Sequence, residues 1–175
     1  MAFPAFSPPV LRSGNLPMAF RFIVPALAAS LFGLPVAAQA AAPTRQASTQ
    51  QAPTREAASA IQMINAYRAA SWMGPLRLDP KLNAAAAEQS RAMAAAGTLS
   101  HDLGGGFQAR MRRHGIGDSA ENIGYGYSSA AEAVAGWRAS YAHNANMLNR
   151  LMTRAGFARA VGPDRRPFWT LVLAR

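Results

Sequence analysis

Ala120-Glu121-Asn122-Ile123-Gly124-Tyr125-Gly126 is the stretch around which the other features of this chain fall into order. Its only charge is Glu121. Its Gly124-Tyr125-Gly126 end is a lone G-x-G without the third glycine of a dinucleotide fingerprint, so it reads as a turn. A histidine stands well before it, in Leu99-Ser100-His101, and another well after it, in Trp137-Arg-Ala-Ser140-Tyr-Ala-His143. The two histidines are 42 positions apart, outside any local metal-ligand spacing.

Working outward from that stretch, the chain reads helices first and strands last. Ser59-Ala-Ile-Gln62 resembles a capping box, opening a helix with Ile61, Ile64 and Tyr67 near one face. Gly74-Pro75 ends it. Asp79-Pro80 starts a second, Ala-rich helix carrying Leu82, Ala86 and Met93, which stops at Gly97. After the Gly104-Gly105-Gly106 loop a short helix is expected over 107–113, ended by His114-Gly115. Ser129-Ala-Ala-Glu132 is another capping box, and its helix presents Val134, Trp137 and Tyr141. Residues 155–161 and 168–172 then form a hairpin around Gly162-Pro163-Asp164. The pattern predicts a small α+β domain with an antiparallel sheet.

The sequence has 175 residues, half of them hydrophobic and 15% charged, which fits one globular domain. A net charge of +10 favours anionic partners. Lys81 is the single lysine beside seventeen arginines. Few aromatics interleave with the arginines, which argues against nucleic acid as a partner. The absence of cysteine excludes disulfides, thiolate zinc sites, a Cys nucleophile and a lipoprotein anchor.

Residues 1–40 read as an N-terminal extension followed by a secretory signal peptide. Met18-Ala-Phe-Arg21 leads into the apolar run 22–38, which ends in Ala38-Gln39-Ala40. Pro25, Gly33 and Pro35 interrupt that run, and it is shorter than the roughly 20 residues of a stable span. Cleavage after Ala40 is therefore expected, leaving no membrane span. Residues 1–17 precede a second methionine, so translation starts at Met1 or Met18. Residues 41–56 carry Ala-Pro-Thr-Arg twice and no large apolar side chain, and read as a flexible linker. Residues 57–175 are long enough for one compact core.

No phosphate loop and no H-E-x-x-H zinc helix occurs. Ser100-His101-Asp102 holds triad residue types, but adjacency does not make a triad. Taken together, Leu99-Ser100-His101, Glu121-Asn122-Ile123-Gly124-Tyr125-Gly126 and Trp137 to His143 carry a resemblance. Asn65-Ala-Tyr67-Arg68, Leu76-Arg-Leu78-Asp79-Pro80-Lys-Leu82 and Phe168-Trp169-Thr170 add to it. Over residues 60–175 the chain resembles the CAP superfamily of cysteine-rich secretory, antigen 5 and pathogenesis-related proteins, in its disulfide-free bacterial branch. The resemblance implies a three-layer α-β-α sandwich, and the signal peptide adds the expectation of a secreted or periplasmic location.

It also implies a cleft in which His101, Glu121 and His143 match three of the family's two His and two Glu. Ser140 stands where the second glutamate is expected, and Arg154 precedes the glycine of the late strand, where bacterial relatives tend to carry a glutamate. Two His and one Glu can hold a weakly bound zinc with water in the fourth position. The carboxylate can instead hold the tautomer of one imidazole, or Glu121 can bond nearby backbone N–H groups in a purely structural network with the histidines covering its flank. Two functions follow. One is a binding or interaction module at the cell envelope, for lipid or anionic envelope components, with Arg110, Arg112 and Arg113 as a basic cluster. The other is a metal-assisted hydrolase using the His/Glu cleft. No nucleophile site is recognisable, so no catalytic residue is assigned and an enzyme is the less favoured of the two.

Overall fold

The computed structural model describes residues 54–175. The apolar run 22–38, the cleavage site after Ala40 and residues 41–53 lie outside the described residues. Helix α1 (Arg55–Ala70) starts four residues before the predicted Ser59 cap, because Thr54 accepts the Ala57 N–H at 3.1 Å and Glu56 sits at the positive end of the helix dipole. Arg55 and Glu56, read as linker, are thus helical. A two-residue strand β1 (Arg77–Leu78) follows. Helix α2 (Pro80–Ala96) begins and ends as expected. The Asp79 carboxylate accepts from Lys81 and Leu82 N–H, Pro80 fills the first position, and Gly97 closes it at φ 61°.

A 3₁₀ turn (Leu103–Gly105) leads into α3 (Gly106–Arg113). The stretch read as ending in a turn is itself a strand, β2 (Ser119–Tyr125), and the chain turns only at Gly126, φ 81°. Glu, Asn and Gly are poor strand formers, and tertiary pairing overrides their preference. Helix α4 (Ala130–Ala139) has the predicted Ser129 cap. Its Glu132 carboxylate reaches Ser128 rather than Ser129, bonding the N–H at 2.9 Å and the hydroxyl at 2.6 Å. The helix breaks at Ser140 (φ −95°, ψ 121°), so Tyr141 does not extend the Val134–Trp137 face. It opens α5 (Tyr141–Met147) and points into solvent. Strands β3 (Arg154–Val161) and β4 (Pro167–Ala174) form the predicted hairpin.

The sheet order is β1-β3-β4-β2. Three strands are antiparallel. These carry the expected antiparallel sheet, and the two-residue β1 adds a short parallel pairing to β3 with Arg77 opposite Arg154. Central β4 is buried on both faces, and its side chains sort by parity. Trp169, Leu171 and Leu173 join α1, α4 and α5, whereas Phe168, Val172 and Ala174 pack on the α2–α3 side. The result is the expected three-layer α-β-α sandwich.

Gly156 on β3 makes the α2 layer possible. A Cβ there would meet the Leu82 carbonyl carbon at 2.1 Å and the Asn83 nitrogen at 2.2 Å. Trp137, buried as predicted, spans the opposite layer. Its indole N–H donates to the Ile123 carbonyl at 3.0 Å.

Candidate functional site

Strand β2 is an edge strand, and its alternation splits the candidate site between two faces. Glu121 pairs in register with Val172 and faces α3. Asn122 pairs with Leu171 and faces α5. The Glu121 side chain is only 1% exposed, and both its oxygens are taken. One accepts from His101 Nδ1 at 2.8 Å, the other from an Arg110 terminal nitrogen at 2.6 Å. The Arg110 side chain is equally buried. The geometry is that of a buried charge pair stabilised only because the charges are matched and hydrogen-bonded. The Arg110 Nε has no partner among the described residues.

His101 is 48% exposed on its loop. In the neutral ring with Nδ1–H donated to the carboxylate, Nε2 carries the lone pair.

His143 comes from α5, in the other layer. Its backbone carbonyl accepts from Asn122 Nδ2 at 3.0 Å, and Asn146 donates to Asn122 Oδ1 at 2.9 Å and to the Glu121 carbonyl at 3.4 Å. This amide ladder docks α5 on the free edge of β2. The His143 ring meets Trp137 edge-on, with centroids 6.5 Å apart. Burial, and secondarily the charge of His101, push the His143 imidazole below its ordinary value. The two histidines therefore sense each other around the strand edge, while only His101 bonds Glu121.

A metal site on His101, Glu121 and His143 does not fit this arrangement. Both Glu121 oxygens are engaged, and a fixed guanidinium sits against one of them, where it repels a cation. Among the described residues no group of three His, Asp or Glu side chains converges to hold an ion. Ser140, in place of a second glutamate, caps no backbone N–H with its side chain. Arg154 has partners other than the cleft residues. It binds the Asp79 carboxylate at 2.9 Å and the Arg175 carbonyl at 2.7 Å.

The structure places the three arginines of the basic cluster, Arg110, Arg112 and Arg113, in different surroundings. Arg110 is interior, Arg113 pairs with Glu88, and Arg112 alone of the three has no ion pair among the described residues. The signal for Arg110 was present in the helix period, since residues 107, 110, 111 and 114 share one face with buried Met111. Glu88 also accepts from His114 Nε2 at 2.7 Å, tying α2 to the end of α3. Burial pushes the Glu88 carboxyl up, but the His114 and Arg113 bonds outweigh it and hold it below the usual range.

A second feature was not anticipated. An open groove of about 430 Å³ runs between α1 and α4, lined by Met63, Tyr67, Ala70, Val134 and Ala135, with Arg138 its one charged group among the described residues. The Arg138 guanidinium stacks 4.2 Å from the Tyr67 ring centroid.

The model of the cysteine-rich secretory protein family, CAP, matches residues 61–173. A solved extracellular protein containing an SCP domain from Bacillus anthracis is 26% identical, with a TM-score of 0.61. The match covers 69% of this chain and 40% of that one, so the chain spans under half its length. An outer surface protein of Borrelia burgdorferi is 19% identical over 66% of this chain and 88% of its own, with a TM-score of 0.61. A cysteine-rich secretory protein of Staphylococcus aureus is 17% identical over 71% and 39%, with a TM-score of 0.54. No curated protein matches the sequence.

Proposed function

Since the chain belongs to the cysteine-rich secretory protein (CAP) family, we propose that it is a binding module of the cell envelope or extracellular space, exported by its N-terminal segment, whose ligand is a single acyl chain with an anionic head. The observation that carries the reading is the state of Glu121. A carboxylate that is buried, paired with Arg110 and bonded to His101 has no free lone pair aimed at solvent with which to activate water. It serves instead to pin the His101 loop and α3 to the sheet.

The ligand class is supported by the α1–α4 groove. Its floor is aliphatic and small-residue, so a chain of methylenes fits along it. The only charge on it among the described residues, Arg138, matches an anionic head at one end. No helix among the described residues is long and apolar enough to cross a membrane. The Bacillus protein described as extracellular, the solved structure at 26% identity, supports an exported location.

Calorimetric titration with oleate tests the reading. Exposed Ala66 lines the groove, and Ala66→Trp fills it without touching the core. Oleate binding that Ala66→Trp abolishes and Arg138→Gln weakens supports the module. Absence of binding, or binding indifferent to Ala66→Trp, overturns it.

One observation favours hydrolysis as the second reading. His101 presents Nε2 outward while its Nδ1 is held by a carboxylate, which is the posture of a general base. Ester or peptide hydrolysis by the full chain that His101→Ala removes would make this the correct function.

A further inference from the structure

Three loops meet at one end of the domain, and each exposes an apolar side chain there. The first follows α1, and Trp72 on it is 94% exposed. The second is the break at Ser140 between α4 and α5, and Tyr141, which opens α5 just after it, is 92% exposed. The third follows α5, and Leu151 on it is 56% exposed.

Hydrogen bonds of Arg68 join the first and third loops, and Tyr67 ties the neighbouring ends of α4 and α5 to them. Buried Arg68 donates to the Gly74 carbonyl at 2.7 Å on the first loop. It also donates to the Met147 carbonyl at 2.7 Å, the Asn149 carbonyl at 3.0 Å and the Met152 carbonyl at 3.1 Å around the third. Tyr67, one turn before Trp72, donates to Asn144 Oδ1 at 2.9 Å on α5 and carries Arg138 of α4 on its ring. The C-terminal ends of α1 and α4, and with them the Arg138 end of the groove, therefore lie at this same end.

Two further features set this end apart. Trp72 is held at φ 58°, a left-handed conformation that bulky residues avoid. The carbonyl bonds of Arg68 around it fix a turn that keeps the largest side chain of the loop in water, where a hydrophobic core gains nothing from it. The charge is also one-sided. Residues 57–78 and 133–163, which build these loops and the helices feeding them, contain no Asp or Glu, while Arg138 and Arg150 are exposed among them.

We infer that this end of the domain docks on the surface of an anionic lipid bilayer. Trp72 and Tyr141 would sit at headgroup depth, where amphipathic rings are favoured, with Leu151 beside them and Arg138 and Arg150 against lipid phosphates. The docked orientation turns the Arg138 end of the groove toward the bilayer, so an acyl chain passes from membrane to groove without crossing water. The inference extends the reading of the groove as a lipid site, but its readout is separate.

Trp72 is the only exposed tryptophan, since Trp137 and Trp169 are buried, so emission changes report its environment. The full chain is mixed with phosphatidylglycerol–phosphatidylcholine vesicles and, separately, with pure phosphatidylcholine vesicles. The expected result is a blue shift with the anionic vesicles that added salt reverses. Trp72→Ser, followed by sedimentation, should lower partitioning about tenfold. Arg138→Gln and Arg150→Gln should each lower it about fivefold at low salt. All three positions are on the surface, so folding is not at stake. No blue shift, an equal shift with both vesicle types, or unchanged partitioning of Trp72→Ser overturns the inference. Docking without oleate binding leaves this surface standing and removes the groove as a lipid site. Oleate binding without docking does the reverse.

Discussion

Glu121 has two oxygens and two partners, and its role follows from that count. Removing Arg110 leaves a buried carboxylate facing one imidazole, so Arg110→Met should destabilise the domain by about 3–5 kcal/mol in urea melts. Adding Glu121→Gln to that variant should recover part of the loss. A loss below about 1 kcal/mol would show that the pair contributes little. Trp137 is the corresponding apolar case. It is buried, it carries a hydrogen bond to Ile123, and it packs edge-on to Phe157. Trp137→Ala should cost about 3–5 kcal/mol in the same melts. His143 sets a pH dependence. Its folded-state value lies below the ordinary imidazole value of about 6.5, chiefly through burial and then through His101. The unfolded chain therefore takes up the proton more readily. The stability that His143 contributes is present above about pH 6.5 and falls as pH drops from there toward its folded value. Thermal melts across that window should show the decline, and His143→Phe should flatten it.

Among the elements, the contact of α2 with β3 has the least slack. Gly156→Ala places a methyl group inside the backbone of Leu82 and Asn83, and both are main-chain atoms that no rotamer change can move aside. A loss of about 3 kcal/mol or more is expected in denaturant melts, since the helix must lift from the sheet. A near-neutral result would mean that α2 rides higher than described. The helix caps belong to this scale too, and Asp79 does double service, capping α2 and pairing with Arg154. Its caps at Asp79, Pro80 and Gly97 were legible in the sequence because each acts within a few residues of itself. Strand β2 was not, because its pairing with β4 joins residues some fifty positions apart, such as Glu121 and Val172. The break at Ser140 was hidden for the same reason. Tyr141 keeps helical spacing with Val134 and Trp137, and only the docking of α5 on β2 through Asn122 and Asn146 moves it out.

At the scale of the whole molecule, positive charge is sorted rather than spread. Arg110 is spent inside on Glu121, Arg154 and Arg159 on Asp79 and Glu56, while Arg138 and Arg150 stay exposed at the Trp72 end. Because Arg154 is bound to Asp79 and the Arg175 carbonyl, Arg154→Glu should leave zinc titrations unchanged and instead lower stability through repulsion of Asp79. Tighter zinc binding in that variant would place Arg154 against His101 and His143 after all.

Whatever acts over short distances along the chain was determined by the sequence alone: the helix caps, the 3.6-residue faces, the late hairpin, the burial of Trp137, and the order of His101, Glu121 and His143 that marks the family. The tertiary structure decided which partner each polar group took. Glu121 and Asn122 are neighbours in sequence, yet the strand period sends one to Arg110 and the other to α5. Arg110, Arg112 and Arg113 look alike in a row of letters, yet the turn of α3 buries one, pairs one and leaves one in water. A charge is read from sequence, but its meaning depends on the dielectric around it and the countercharge beside it. Both are set by residues that folding brings in from elsewhere in the chain.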